Sequence, residues 1–411
     1  MTKIFLPPIL LLFALLTTLT VHGEAVQLAS RYHPSGINSR FMAPDDVDFA
    51  TYRAQLGEIL RQARLDTDSV NRQAVIEANL PFELTPPVEC PHTGTDPQQM
   101  RYPRGILLIH GLSDSPYTVR HLGDFLSHQC LYVVSILLPG HGTRPGDLLD
   151  VKWQDWDKAV DYGIDLVRRR ADEIWLGGYS LGATLALYQT RHRHDIHGLI
   201  LVSPALQLPT KAALAGIRQW FGQFYEKALW WQILPDSDPY KYESFPINGV
   251  TQMYALTQAL QPVLETPPSL PLLIAASEDD ATVDSRATLD LFKHWPATTK
   301  QLVWFSREMQ PQTGTVEIID SRIPGQHIAS SSHISLLMPP DDPHYGVHGN
   351  YAACNHYYEE QPAAWQQCMA RKEDLLAEIT PYFLSQGVVR RITYNPDFDK
   401  LLAAIGAFLN H

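Results

Sequence analysis

A serine between two glycines stands near the middle of this chain, in the sequence Gly178-Tyr179-Ser180-Leu181-Gly182. It follows an apolar, strand-like run at 174–176 and precedes a helix-forming run at 183–188. A chain that turns this tightly from strand to helix has no room for side chains two positions before and after the serine, so glycine is needed at both. The turn exposes the serine hydroxyl as a nucleophile, and the Leu181 N–H at the helix start favours developing negative charge. The segment therefore predicts a nucleophilic Ser180 with Leu181 as an oxyanion donor.

A serine hydroxyl attacks a carbonyl only when a base, an orienting acid and donors for the oxyanion surround it. In parallel sheets the reactive groups gather at the carboxyl ends of the strands. A second oxyanion donor is expected from Leu112, because Gly111 turns the chain from the first clear strand into a helix and lets the Leu112 N–H face Ser180. The neighbouring His110 lies at the strand end, where we expect a structural hydrogen-bonding role and not that of the base.

The acid is expected after the strand-like run at 271–276. Four carboxylates follow this run, namely Glu278, Asp279, Asp280 and Asp284. Asp280 fits the role best, because Val283 gives it an apolar anchor one turn on. The other three remain alternatives to it, and a solvated acidic loop would account for them equally well.

The base is expected last along the chain. His333, in the sequence Ser331-Ser332-His333-Ile334, follows the last strand region and precedes an apolar run. Four further histidines lie nearby, namely His327, His344, His348 and His356. A single histidine is more often structural than catalytic, so the order of residues does not choose among these five.

The elements that would position these groups alternate regularly. Apolar, β-rich runs occur at 105–109, 132–137, 173–176, 198–202, 271–276 and 301–305, and helical patterns occur at 117–127, 153–171, 183–192 and 287–294. Strand, helix and strand at this spacing imply right-handed crossovers. We therefore predict an α/β fold with a mostly parallel sheet and helices on both faces.

The strand pattern is interrupted between Pro204 and Pro268 by an aromatic-rich segment. This predicts a helical cap at 206–265, inserted between the core segments 86–205 and 266–411. Three aromatic residues of the cap are predicted to contact substrate, namely Trp220, Phe224 and Trp230. The alternative is that these rings pack in an ordinary core. Residues 24–85 are predicted to form an N-terminal extension with two helices, and a final helix is predicted at 398–409.

The N-terminus resembles an export signal. Lys3 precedes an almost wholly apolar run at 4–19, and small residues precede a cleavage point after Gly23. Residues 1–23 are therefore predicted to be a signal peptide, and the mature protein is expected in the periplasm or outside the cell. A retained membrane anchor is the alternative, which Pro7-Pro8 and the short apolar length disfavour. The formal charge of −12 and the lack of a basic cluster argue against nucleic acid as a partner.

Four cysteines in an exported chain allow two disulfides. Cys354 and Cys368 lie close together in an irregular stretch that a cross-link would hold, so we expect them to pair. This leaves Cys90 to pair with Cys130. The alternative for Cys130, which directly precedes an apolar strand, is a buried free thiol.

Several motifs taken together resemble the α/β-hydrolase superfamily, and most closely its carboxylesterase and monoacylglycerol lipase branch. They are His110-Gly111-Leu112, Leu138-Pro139-Gly140-His141-Gly142, Gly178-Tyr179-Ser180-Leu181-Gly182, Asp280-Ala281-Thr282-Val283 and Ser332-His333-Ile334. The resemblance runs from about residue 104 to the C-terminus. It implies Ser180 as nucleophile, Asp280 as acid, His333 as base and the N–H groups of Leu112 and Leu181 as oxyanion donors. It also implies an inserted cap after the strand that ends at Val202.

The expected activity is hydrolysis of carboxylic esters with acyl or lipid-like groups, through an acyl-enzyme and without metal or organic cofactor. The expected partners are a small-molecule or lipid ester and, transiently, a lipid surface. Amide or peptide hydrolysis and acyl transfer are the enzymatic alternatives on the same fold. A non-catalytic protein that binds lipid or acyl ligands is the alternative from another class, although such a binder has no need of the complete serine, acid and histidine set.

Two groups of residues resemble metal ligands. One comprises His192, His194 and His197, for which the simpler explanation is that they complement a helix dipole. The other comprises Asp341, Asp342, His344, His348 and His356. A loop held by a disulfide explains this second group more simply, so no metal site is predicted.

Overall fold

A computed structural model describes residues 28–41, 47–64, 71–96, 99–208, 225–309, 314–371 and 375–410 of the 411-residue chain. The strands in these ranges are β1 (Glu83–Leu84), β2 (Tyr102–Ile109), β3 (Leu131–Ser135), β4 (Ala171–Tyr179), β5 (Ile196–Val202), β6 (Trp230–Gln232), β7 (Phe245–Pro246), β8 (Leu272–Ser277), β9 (Lys300–Ser306), β10 (Val316–Asp320), β11 (Leu375–Ala377) and β12 (Val389–Arg391). The α-helices there are α1 (Phe49–Ala63), α2 (Arg72–Asn79), α3 (Arg120–His128), α4 (Trp153–Arg168), α5 (Leu181–Gln189), α6 (Ile247–Glu265), α7 (Ser285–His294), α8 (Pro362–Met369), α9 (Pro381–Leu384) and α10 (Phe398–Leu409).

The central sheet has eight strands in the order β1-β3-β2-β4-β5-β8-β9-β10. Only the two-residue β1 pairs antiparallel, on β3, and the other neighbours pair in parallel. The predicted mostly parallel sheet is therefore confirmed, and each of the six predicted strands is present. The sequence pattern missed β10, which adds the edge beside β9.

Helices cover both faces of this sheet, as predicted. In β2, Leu107 and Ile109 belong to one apolar core, whereas Ile106 and Leu108 belong to the other. This alternation follows from the two-residue period of a strand. The first core contains buried residues of α1, α4, α5, α6 and α7, and the second contains those of α3 and α10. Because parallel strands buried on both faces are apolar throughout, their carboxyl ends become the natural place for polar groups.

Both predicted disulfides are confirmed. Cys90 bonds to Cys130 and Cys354 bonds to Cys368, so the alternative of a free thiol at Cys130 is wrong. The Cys354–Cys368 bond lies in a small separate apolar cluster in the C-terminal part of the chain. Nearby, β11 and β12 form a parallel pair of their own.

The segment predicted as a helical cap contains several kinds of structure. Residues 209–224 lie outside the described residues, and with them the predicted substrate contacts Trp220 and Phe224. After them come the short antiparallel pair β6–β7, which the sequence pattern did not indicate, and the helix α6. Helix α6 packs on α5 and buries its apolar residues in the first core. The domain division at 206–265 stays a prediction.

The predicted signal peptide, residues 1–23, lies outside the described residues. Of the predicted N-terminal extension, α1 and α2 are present, and Tyr52 and Leu56 of α1 are buried in the first core. No helix of the described ranges is long and apolar enough to cross a membrane.

Candidate active site

Ser180 lies on a sharp turn between β4 and α5. Its backbone has φ 53° and ψ −113°, a conformation that residues with a side chain rarely adopt and that indicates local strain. A Cβ added at Gly182 would lie 2.0 Å from the carbonyl oxygen of Ile109, and one at Gly178 would lie 2.3 Å from the Gly182 carbonyl carbon. The two glycines are therefore required by close backbone contacts, as the sequence argument expected.

A continuous chain of hydrogen bonds joins Ser180, His333 and Asp280. The Ser180 hydroxyl lies 3.0 Å from Nε2 of His333, and Nδ1 of the same ring lies 2.6 Å from Oδ2 of Asp280. The serine and the histidine are 9% and 4% exposed. With the neutral ring protonated at Nδ1, this nitrogen donates to the carboxylate and Nε2 is left to accept the serine proton.

Asp280 is held in its charged form. Burial raises the pKa of its carboxyl, but the neighbouring His333 and the hydrogen bonds to the carboxylate outweigh this effect, and the pKa is lowered from its ordinary value. The backbone N–H groups of Thr282 and Val283 donate to Oδ1 over 2.8 and 3.0 Å. An ionised acid that is fixed on one side can orient the imidazole on its other side.

The three alternative carboxylates have other partners. Glu278 accepts a hydrogen bond from the Ser306 hydroxyl, Asp279 pairs with Arg307 at 2.8 Å, and Asp284 caps the first turn of α7. The structure thus brings only Asp280 of the four to His333.

The alternative histidines also lie elsewhere. His344 pairs with Asp238 at 3.1 Å, and His356 lies 3.0 Å from the Val389 carbonyl oxygen. His327 and His348 are exposed. His110 is buried, and its Nε2 accepts a hydrogen bond from the Leu138 N–H, in the structural role expected for it.

Leu112 and Leu181 line the same cavity as Ser180. Within the described part of the chain, neither backbone N–H has a hydrogen-bond acceptor. Leu181 is buried and Leu112 is half-buried, and a buried N–H without a partner is uncommon. Both groups are therefore available to an oxygen atom bound next to the serine.

The cavity in front of Ser180 has a volume of about 380 Å³. Apolar residues such as Leu208, Met253 and Ile379 line it together with four acidic or basic residues of the Asp, Glu, Lys and Arg types, namely Asp114, Lys241, Glu243 and Arg391. No sequence pattern indicated these four residues, because they come together from three segments that are far apart along the chain. The lining of this cavity is therefore partly apolar and partly charged.

Trp230 does not line this cavity. It is buried, and its ring meets that of Tyr32 edge-on at 5.2 Å, beside a different cavity. In the neighbouring β6 segment, Gln232 and Leu234 line the cavity at Ser180 instead. The structure therefore places this predicted substrate contact against the N-terminal region.

Among the described residues, neither of the two metal-like groups brings three of its own ligand atoms together. In the described ranges, one set of possible ligand atoms lies within 4.8 Å of one another, and it joins His192 to Asp157 and Asp161 of α4. Arg193 already pairs with Asp161 at 2.7 Å, and Gln189 donates to Asp157 at 2.8 Å. In the second group, Asp342 accepts hydrogen bonds from Tyr117 and His121. Protein groups thus satisfy these carboxylates.

Comparison with known proteins finds a family match that includes Ser180, Asp280 and His333, and several similar proteins. Residues 106–345 match the sequence model of the alpha/beta hydrolase family. A thermostable monoacylglycerol lipase of Bacillus sp. (strain H-257) is 27% identical over 201 residues, which cover 49% of this chain and 80% of that protein. A carboxylesterase of Bacillus subtilis (strain 168) is 21% identical over 206 residues, or 49% of this chain and 82% of that protein. The solved monoacylglycerol lipase of Paleococcus ferrophilus has 18% identity and a TM-score of 0.41, covering 58% of this chain and 89% of that one.

Proposed function

This chain belongs to the alpha/beta hydrolase family, and on that premise we propose that it is a serine hydrolase that cleaves carboxylic esters with acyl or lipid-like groups. Ser180 is the nucleophile, His333 the general base and Asp280 the acid that orients it. Leu112 and Leu181 donate their backbone N–H groups to the oxyanion.

The observation that carries this proposal is the hydrogen-bond chain of 3.0 and 2.6 Å from Ser180 through His333 to Asp280. A serine nucleophile needs a base within hydrogen-bond reach and a third group that orients this base. The strained turn at Ser180 supports the same assignment, because strain of this kind concentrates at functional sites.

The reaction proceeds in two stages. As the Ser180 oxygen attacks the acyl carbon, His333 accepts its proton at Nε2, and Asp280 stabilises the resulting imidazolium. The two leucine N–H groups stabilise the negative oxygen of the tetrahedral intermediate. The ester C–O bond then breaks, and the alcohol leaves with the proton from His333. A water molecule repeats the sequence on the acyl-enzyme and releases the carboxylic acid, and the protein's own groups suffice for each step.

Two observations support an ester with an acyl or lipid-like group as substrate. The relatives of this chain are named a monoacylglycerol lipase and a carboxylesterase. The cavity of about 380 Å³ lies within the range of small-molecule sites, and its apolar residues can accept an acyl chain. Nitrophenyl esters of increasing chain length should be hydrolysed, whereas a peptide anilide should not. Binding of lipid without turnover of any ester would favour the non-catalytic alternative.

A fluorophosphonate probe tests the nucleophile, because it reacts covalently with an activated serine. We expect one label per chain, on the peptide that contains Ser180. Ser180→Ala should abolish both labelling and ester turnover and should retain the fold by circular dichroism. Ser385→Ala, at an exposed serine on the C-terminal side of α9, is the matched control and should change neither. Turnover that persists in Ser180→Ala would overturn the assignment.

We propose further that the protein acts outside the cytoplasm, after removal of residues 1–23. The two disulfides support an oxidising compartment. Sequencing the N-terminus of protein exported by its native host tests this, with Glu24 as the expected first residue. An intact Met1 would contradict it.

A further inference from the structure

A buried ion pair lies next to the base. The Glu378 carboxylate accepts a hydrogen bond of 2.9 Å from the backbone N–H of His333. The guanidinium of Arg391 contacts both oxygens of this carboxylate, at 2.7 and 2.9 Å. The side chain of Glu378 is 1% exposed and that of Arg391 is 22% exposed. Both residues follow residue 345, where the match to the family ends.

The same guanidinium also contacts the loop that carries the acid. Nη2 of Arg391 donates to the Thr282 hydroxyl at 2.7 Å, and the Thr282 N–H donates to Asp280. One ion pair is therefore bonded to the loop of the base on one side and to the loop of the acid on the other. These two loops must keep the 2.6 Å contact between His333 and Asp280.

The C-terminal part of the chain fixes this ion pair in place. Glu378 directly follows β11 and Arg391 ends β12, and the two strands pair so that Ala377 lies opposite Arg391. The Arg391 N–H donates to the Ala353 carbonyl, next to the disulfide at Cys354. The Glu378 N–H donates to the Ser330 hydroxyl.

Stability alone does not explain a buried pair of this kind. Burying the Glu378 charge and most of the Arg391 side chain costs about as much as the attraction between them returns, so an apolar pair of equal size would serve stability about as well. One charge bonded to the backbone N–H of the base, and a second charge paired with it, nevertheless act on the charge of the imidazole ring. The ion pair is better explained by its effect on the position and the charge of His333.

We propose that Glu378 and Arg391 are positioning residues for the reaction proposed above. They hold the loops of His333 and Asp280 at a fixed distance from each other and set the electrostatic field at the imidazole. This inference rests on the proposed function of Ser180, His333 and Asp280. It gives the C-terminal part of the chain, outside the family match, a role at the site.

The two charges act on the imidazolium in opposite directions. The carboxylate of Glu378 favours it, and the guanidinium of Arg391 disfavours it. The other titratable groups around them and around His333 come from several elements, namely Asp279 and Asp280 on the acid loop, Tyr179 on β4, Asp114 in the loop after β2, and Tyr351 and His356 near the Cys354–Cys368 disulfide. All of these groups are present in both single variants, so a difference between the two variants reports the ion pair.

The experiment compares Glu378→Gln, Arg391→Met and the double variant by kcat, KM and the pH dependence of kcat/KM. Each single variant should lose kcat about 10- to 100-fold, because misplaced catalytic groups lose rate. KM should stay within about 2-fold in Glu378→Gln, because Glu378 is not among the residues that line the cavity, whereas Arg391 is. The midpoint of the acid limb should move to lower pH in Glu378→Gln and to higher pH in Arg391→Met, by about half a pH unit or more. In the double variant it should return towards the original value.

Arg193→Met is the control, because Arg193 is about as exposed as Arg391 and pairs with Asp161 beyond the opposite end of α5 from Ser180. It should lower Tm and leave the pH profile unchanged. Midpoints that stay fixed, or that move in the same direction in both single variants, would overturn the proposal. If either variant fails to fold, Arg391→Lys keeps the charge but cannot make all three contacts, and an unchanged kcat there would also overturn it. Fluorophosphonate labelling of Ser180 in each variant separates these outcomes from a failure of the proposed nucleophile.

Discussion

The Tyr351 hydroxyl donates a hydrogen bond of 2.7 Å to the buried carboxylate of Glu243, and both side chains line the cavity in front of Ser180. Asn355 donates to the same carboxylate. Burial raises the pKa of Glu243, and the hydrogen bonds from Tyr351 and Asn355 partly offset this effect. This contact joins the segment after β5 to the segment of the Cys354–Cys368 disulfide. These two segments therefore form one wall of the cavity together.

Tyr351→Phe should therefore remove the hydrogen bond that holds this wall of the cavity and leave Ser180, His333 and Asp280 in place. A hydrogen bond to a charged group contributes about 1.5–3 kcal/mol, so KM should rise several-fold while kcat changes less than about 2-fold. Steady-state kinetics with two nitrophenyl esters of different chain length measure this. Tyr358→Phe, at a half-exposed ring of the same segment, is the control and should change neither constant. An unchanged KM in Tyr351→Phe would show that this contact does not shape the cavity.

His333→Ala should remove the base and reduce kcat/KM by about 10⁴-fold or more, since the serine then has no proton acceptor. His327→Asn is the control, because His327 is exposed and has a left-handed backbone that asparagine also tolerates. It should retain activity within about 2-fold. If the control lost activity and His333→Ala retained it, the assignment of His333 as the base would be wrong.

Asp114 should make stability depend on pH. Burial raises the pKa of this carboxyl to about 6 from the ordinary 3.8, with Lys241 partly opposing the effect. The folded protein thus keeps a proton that the unfolded chain releases near pH 4, and the free energy of unfolding falls as pH rises between these values. Asp114→Asn has no such carboxyl and therefore does not lose free energy of unfolding as pH rises. The variant should be more stable than the original protein by up to about 3 kcal/mol at pH 8 and by close to nothing at pH 4.

Urea unfolding of the Asp114→Asn variant at the two pH values measures this effect. Asp342→Asn is a control of opposite sign, because burial raises the pKa of Asp342 but its hydrogen bonds from His121 and two backbone N–H groups lower it overall. Its contribution to stability is present above pH 4 and is lost as pH falls through the folded pKa. That variant should therefore be destabilised at pH 8, and less so at low pH. A gain for Asp114→Asn that is equal at both pH values would contradict the linkage.

The Cys354–Cys368 disulfide should matter for both stability and substrate binding. Its loop of 14 residues gives about 3 kcal/mol in the chain-entropy account. Ala353, Asn355 and His356 adjoin it and line the cavity. The double serine variant should therefore lose about that much stability and show a raised KM. The double serine variant of Cys90 and Cys130, at the far end of β3 from Ser180, should lose similar stability with unchanged KM. Equal KM values in the two variants would show that the first bond acts only on stability.

Much of this arrangement could be predicted because it depends on local sequence. The turn at Ser180 requires glycines at fixed spacing, and the strands β2, β4, β5, β8 and β9 are apolar runs buried on both faces. Asp280 was preferred among four carboxylates near the end of β8 because Val283 follows it as an apolar anchor, while the other three stayed alternatives.

Other parts could not be predicted, because their contacts join short segments that lie far apart in sequence. Glu378 and His333 are 45 residues apart, and Tyr351 and Glu243 are 108 apart. No periodic pattern marks strands as short as β6, β7, β11 and β12. Trp230 was expected at the substrate because it is aromatic, but the packing of its ring against Tyr32 depends on the N-terminal region.

The residues that line the cavity are divided between two stretches of the chain, with the nucleophile within 106–345 and part of the wall at 351–391. Substitutions in the second stretch can therefore alter which esters fit while the reacting groups stay as they are. Homologues with the same nucleophile turn but a different C-terminal region would then diverge in substrate preference by exchange of that region alone. The ion pair of Glu378 and Arg391 restricts which C-terminal regions can be exchanged in this way. A replacement region must still supply both charges to the loops of the base and the acid.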